Sequence, residues 1–120
     1  MLATIGEAVA AITMRRFLIA FDQVESFSGK PKRPLVLTGD EGATGIRMLR
    51  HDLVTALREI GFMDGKEPGF TPHMTILYDL SKVCRQVVEE IGWTATEFVL
   101  VRSLRGQSRH VPLGRWPLQG

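Results

Sequence analysis

The chain has 120 residues, 44% of them hydrophobic, and a formal net charge of +2 at pH 7. That suffices for the core of one small domain, with little stability to spare, and a charge this slight fits a polyanionic partner without indicating one. No apolar run approaches the roughly 18 residues of a membrane span, and the start of the chain lacks the charged and apolar zones of a secretory signal. Cys84 is the only cysteine, which excludes an internal disulfide and a multi-cysteine metal site and makes a reducing cytoplasm the simplest home.

Leu2, Ile5, Val9 and Ile12 recur at helical spacing, so an amphipathic helix is expected up to about Met14. Phe17, Ile19 and Phe21 alternate as a strand, and Leu35 to Thr38 form a second. Between them Lys30-Pro31-Lys32-Arg33, beside Gly29, reads as a solvated hairpin turn, with a contact to phosphate as the other use of such a cluster. Ile46, Leu49, Leu53, Leu57 and Ile60 mark a long helix that Gly61 is placed to stop. A loop from Asp64 to Gly69 leads into a strand containing His73. After a polar connection, Trp93 to Thr96, Phe98 to Leu104 and His110 to Trp116 read as strands, the last two as a hairpin. Its basic stretch, Arg102 through Arg109, is either an exposed tip around Gly106 or a contact to a phosphate backbone. Two helices packed with antiparallel sheets make an α+β fold, with residues 1–120 as a single domain.

The chemistry concentrates in Phe70-Thr71-Pro72-His73-Met74-Thr75-Ile76-Leu77-Tyr78-Asp79. In an extended strand His73 and Thr75 project from one face, roughly 7 Å apart, while Met74 and Ile76 are expected to enter a core. A titratable ring beside a hydroxyl is what proton transfer next to a phosphate or carbonyl oxygen needs. Pro72 holds the preceding residue extended and donates no hydrogen bond, which suits the mouth of an edge strand. His51, between Arg50 and Asp52 on the long helix, and His110, near the closing hairpin, read as structural, as do Arg115 and Trp116. Cys84, among Val83, Val87 and Val88, reads as a small buried hydrophobe. There is no Gly-rich loop ending in Lys-Ser/Thr, no His-Glu-x-x-His and no two-metal carboxylate pattern, so no metal or nucleotide cofactor is expected.

The run from Phe70 to Asp79 resembles the second His-x-Thr signature of the 2′-5′ RNA ligase family, part of the 2H phosphoesterases, which reads aromatic, x, Pro-His-x-Thr-Leu. Glu97 to Ser103 followed by His110 to Leu118 resembles the family's closing hairpin, and Phe21 to Phe27 with Arg33 to Leu37 resembles its central strands. The resemblance therefore runs through nearly the whole chain in the family's order. It departs at one point: members carry two His-x-Thr/Ser motifs, one per pseudo-symmetric lobe, and this chain has only the second. His51 and His110 are followed two positions on by Leu53 and Pro112, so neither supplies the other. Relative to the family, Met1 falls where the helix after the first motif would lie, so the chain is expected to be an incomplete 2′-5′ RNA ligase-like domain, similar to the family's C-terminal two thirds.

The resemblance implies acid/base transfer at the 2′,3′-cyclic phosphate of an RNA or nucleotide, as a cyclic phosphodiesterase or 2′-5′ RNA ligase, without a metal. His73 would take one proton-transfer role, Thr75 would donate to the phosphate, and Arg102 would meet substrate if its face lines the groove. The alternative is a non-catalytic RNA-binding or interaction module derived from that family. A sheet lacking its partner strands exposes backbone and apolar surface. A homodimer is therefore expected, with its two-fold axis bringing two copies of His73 to one groove.

Overall fold

The computed structural model describes residues 2–65, 69–104 and 109–120. Its elements run α1 (Leu2–Ala10), β1 (Phe17–Ser26), β2 (Arg33–Thr38), a 3₁₀ turn (Glu41–Ala43), α2 (Thr44–Glu59), β3 (Met74–Asp79), β4 (Gln86–Ala95), β5 (Glu97–Leu104) and β6 (Arg109–Pro117). The α+β class is as the sequence implies. The chain forms two compact units: one holds α1, α2 from Leu49 onward and the β5–β6 hairpin, and the other holds the four-stranded sheet formed by β1 to β4.

In the helical unit the apolar stripe of α1 closes early. The helix ends at Ala10, four residues short of the expected Met14, and Ile12 is carried on a tighter turn in which its N–H meets the Val9 carbonyl at 3.1 Å. Val9, Val54 and Leu118 are buried, and Phe98 of β5 stacks on Trp116 of β6 with ring centroids 5.6 Å apart. Arg115 bridges the same hairpin to Glu97 at 2.8 Å, so both Arg115 and Trp116 serve the fold. The C-terminal segment is tied back by backbone bonds from Arg16 to Gln119, Gln119 to Met14 and Leu118 to Thr96.

Gly61 ends α2 in the way its position suggests. It sits at φ +76°, its N–H reaches the Arg58 carbonyl at 2.9 Å, and the Phe62 N–H reaches Leu57 at 2.9 Å. These two bonds are the paired 5→2 and 6→1 closure of a Schellman cap, which satisfies carbonyls the helix leaves open.

The sheet of the second unit has strand order β3-β2-β1-β4, so β3 and β4 are its edges. Phe21 and Val36 lie fully inside it, each burial contributing about 2 kcal/mol, and Trp93 of β4 meets Phe21 edge-on at 5.8 Å. The turn after β2 lies directly on β1: a Cβ at Gly39 would stand 2.5 Å from the Ala20 carbonyl, a distance side chains do not reach. Arg47 on the first turns of α2 donates to the Asp40 carbonyl at 2.7 Å and holds that turn closed.

Three expectations need correction here. β4 starts at Gln86, not at Trp93. Its Val-Val-Glu-Glu run has no period-2 pattern, and pairing with β1 supplies what local sequence does not. Met74 and Ile76 are 40% and 49% exposed and do not enter a core, because β3 is an edge strand exposed along its whole length. Cys84 is exposed, not a buried hydrophobe, since it lies in the segment that precedes β4 and not within a strand.

Substitution Gly61→Ala forces a Cβ into the left-handed region, and the expected cost is about 1–2 kcal/mol. Urea unfolding should show this as a lowered midpoint at unchanged slope, with Gly61→Asn recovering much of the loss because Asn tolerates that region.

Candidate functional site

The register of the sheet decides which side chains meet. Glu25 lies opposite Val36, and Val36 lies opposite Thr75, so these three form one row across β1, β2 and β3 on a single face. Alternation along β1 and β2 adds Gln23, Phe27 and Thr38 to that face. Val24, Leu37 and Met74 form the adjacent row on the reverse face. There a hollow is lined by the apolar Val24, Leu37, Ile76, Val88 and Ile91 together with the carboxylates Glu89 and Glu90, and it holds no histidine.

A bulge in β3 follows directly after Thr75: Val36 pairs with Thr75, but Leu35 pairs with Leu77, leaving Ile76 without an opposite residue. Bulges re-aim side chains on the strand that carries them and are common at sheet edges. Thr75 is therefore the last residue of β3 in the register set by Met74.

His73 immediately precedes β3, is exposed, and is fixed by two contacts. Its Nδ1 lies 2.8 Å from the Thr71 carbonyl oxygen, an atom that can only accept. In the neutral ring Nδ1 therefore carries the hydrogen and donates it, leaving Nε2 as the unprotonated nitrogen. The ring also meets Phe27 edge-on, with centroids 4.9 Å apart at 66°. Because Phe27 shares the face of Glu25, this contact puts the imidazole on the same face as Thr75. Val36, in the row between Glu25 and Thr75, has no exposed surface. Pro72 is fully buried and anchors the approach to His73.

Beside this pair lies a polar cluster that sequence reading did not assemble. Arg85 donates to the Gln23 side-chain oxygen and pairs with Asp40 at 3.3 Å and Glu25 at 3.5 Å, while Gln23 donates to Asp40 at 3.1 Å. Its guanidinium is more than half exposed, so it positions these groups more than it stabilises the fold. Thr38, 3% exposed and opposite Gln23, keeps a hydroxyl with no hydrogen-bond partner among the described residues. The only sequence signal was the alternation Gln23, Glu25, Phe27, and it becomes informative only once the register to β3 is known.

The other predicted residues are placed elsewhere. Arg102 is exposed on β5 opposite Val111, in the unit that does not hold His73. His110 pairs with Ser103 on β6, and His51 is exposed on α2. The basic tip at 105–108 lies outside the described residues. Among the described residues no group of three His, Cys, Asp or Glu could hold a metal ion, and no helix is long and apolar enough to cross a membrane.

The fold has solved counterparts. A phosphoesterase structure matches 98% of this chain and 68% of its own, at 21% identity and a TM-score of 0.70. Two structures of E. coli LigT, one complexed with 3′-AMP and one with NADP+, match 98% of this chain and 68% of their own, at 20% and 22% identity and TM-scores of 0.69 and 0.67. No curated protein matches the sequence. The model of the 2′-5′ RNA ligase superfamily matches residues 1–107, and this chain belongs to that superfamily.

Proposed function

We propose that this protein acts on the 2′,3′-cyclic phosphate of an RNA or nucleotide, as a cyclic phosphodiesterase or 2′-5′ RNA ligase. The observation that carries this is the exposed His73 ring held through Nδ1 by the Thr71 carbonyl, which in the neutral ring leaves Nε2 to accept a proton, on the face that also presents the exposed Thr75. The neighbouring structures give support: LigT, a protein of the same fold, is complexed with 3′-AMP and NADP+.

The steps follow from the groups available. Nε2 of His73 takes a proton from the attacking oxygen, water in hydrolysis or a 5′-hydroxyl in ligation, as that oxygen bonds to phosphorus. A product that keeps its phosphate on O2′ requires the P–O3′ bond to break and O3′ to receive a proton. Thr75 donates to a non-bridging oxygen as charge develops there. No metal or nucleotide cofactor is needed for these steps. Protonation of O3′ calls for a second acid, and the sequence contains one His-x-Thr motif. A homodimer meets this need by supplying the partner's copy of the motif, and the exposed edge strand β3, with Ile76, Leu77 and Tyr78 each more than 45% exposed, offers the surface for it.

Turnover of a 2′,3′-cyclic nucleotide tests this. His73→Ala should lower kcat about 10²–10⁴-fold and Thr75→Ala about 10²–10³-fold, with EDTA and magnesium without effect. Turnover that survives loss of the imidazole would remove His73 from the chemistry. The single motif also favours a second possibility, a module that binds phosphate-terminated RNA without converting it; binding with no turnover in the unaltered protein would establish that instead.

Long-range ¹H–¹⁵N correlation of the histidines at neutral pH should show His73 with its hydrogen on Nδ1. The opposite tautomer would mean that the Thr71 contact does not hold the ring in solution. Light scattering should give twice the 13.4 kDa chain mass, and a monomer at all concentrations would leave the second proton role without a source.

A further inference from the structure

We propose that Lys30, Lys32 and Lys82 form a subsite for the backbone phosphates of single-stranded RNA lying upstream of the terminus that His73 engages. The assignment rests on His73 binding an RNA end and adds to it a basis for choosing oligonucleotides over mononucleotides.

Lys30 and Lys32 are exposed on the turn from β1 to β2. By sequence alone they read as turn residues. The structure adds a third cation from about fifty residues away. The segment after β3 is bonded to this same end of the sheet: the Ser26 N–H meets the Val83 carbonyl at 3.0 Å, the Val83 N–H meets the Ser26 hydroxyl at 2.8 Å, and Arg33 donates to the Leu80 carbonyl at 2.8 Å. Lys82 lies between those tethers and is exposed.

The local charges are unequal. Of the carboxylates near this end, Glu25 is paired with Arg85, while Asp79 accepts from the Leu80 N–H at 2.7 Å and keeps its charge, one against the three lysines. Lys30, Lys32 and Lys82 have no ion pair or hydrogen bond among the described residues. Carboxylates gather instead beyond the other end of β2, where Asp22, Asp40, Glu41 and Glu90 line a hollow. Three ammonium groups at one end, without an ion-pair partner among the described residues, are suited to the phosphates of a polyanion.

His73 stands before the start of β3 and Lys82 beyond its end, a separation of about 20 Å along the 6 residues of the strand. The Phe27 ring touches His73 at 4.9 Å, and Lys30 follows Phe27 by three residues, which span at most about 11 Å. A strand whose 3′ end sits at His73 can cross Phe27, whose flat ring suits base stacking, and bring its next few phosphates to the lysines.

Equilibrium binding of 3′-phosphorylated oligouridylates, from mononucleotide to hexanucleotide, tests this against a K30Q/K32Q/K82Q variant whose fold is checked by thermal melting. The unaltered protein should bind the hexanucleotide at least tenfold more tightly than the mononucleotide. The variant should lose that preference, keep its mononucleotide affinity, and show a log–log salt slope shallower by about 2, from roughly 0.7 per lost single-strand contact. Equal affinity for mono- and hexanucleotide, or a preference that survives the triple change, overturns the subsite. So does equal lysine-dependent binding of inorganic polyphosphate of matched length, which would show plain polyanion attraction. Lysine-dependent binding in a protein without turnover would overturn the catalytic role of His73 and leave the subsite standing; turnover without length preference would do the reverse.

Discussion

The pairing of β3 with β2 is the constraint on which the site depends. It fixes Thr75 opposite Val36 and so on the face of Glu25, and the bulge at Ile76 confines that register to the first residues of the strand. A one-residue slip would send Thr75, and His73 two residues before it, to the reverse face, away from Gln23 and Glu25. The hydrophobic row behind this register is therefore as much a part of the site as the polar groups. Val36, wholly buried, is the residue about which Glu25, Thr75, Phe27 and His73 are arranged.

Local sequence carried a good part of this. The helical stripe of α2 and its stop at Gly61 were legible because an amphipathic period and a left-handed cap are properties of contiguous residues. The His73–Thr75 pair was legible for the same reason, since alternation in an extended run needs no knowledge of the rest of the chain. What failed depended on neighbours distant in sequence. Met74 and Ile76 have the pattern of core residues, but a strand's alternation does not say whether anything covers it. The start of β4 at Gln86 was hidden because two valines followed by two glutamates alternate with nothing.

The surroundings of His73 were illegible for a related reason. Phe27 comes 46 positions before it, and Arg85 reaches Gln23 and Glu25 only because the chain returns along the far side of β1. The Lys30 turn carried an ambiguous signal by itself, and only the tethers from Ser26 and Arg33 to residues 80–83 bring Lys82 to it. Family membership supplies the order of the elements. The identity of the groups that meet on one face comes from register.

The edge position of β3 has a consequence for motion. A central strand is clamped by two ladders, whereas Thr75 is held by one, and it lies next to a residue that pairs with nothing. Segments so lightly tethered open with free energies well below that of global unfolding. The margin that carries His73 and Thr75 can thus melt and re-form while the Phe21–Val36 interior stays intact, so occupancy by a ligand should slow amide exchange along β3 far more than in the interior.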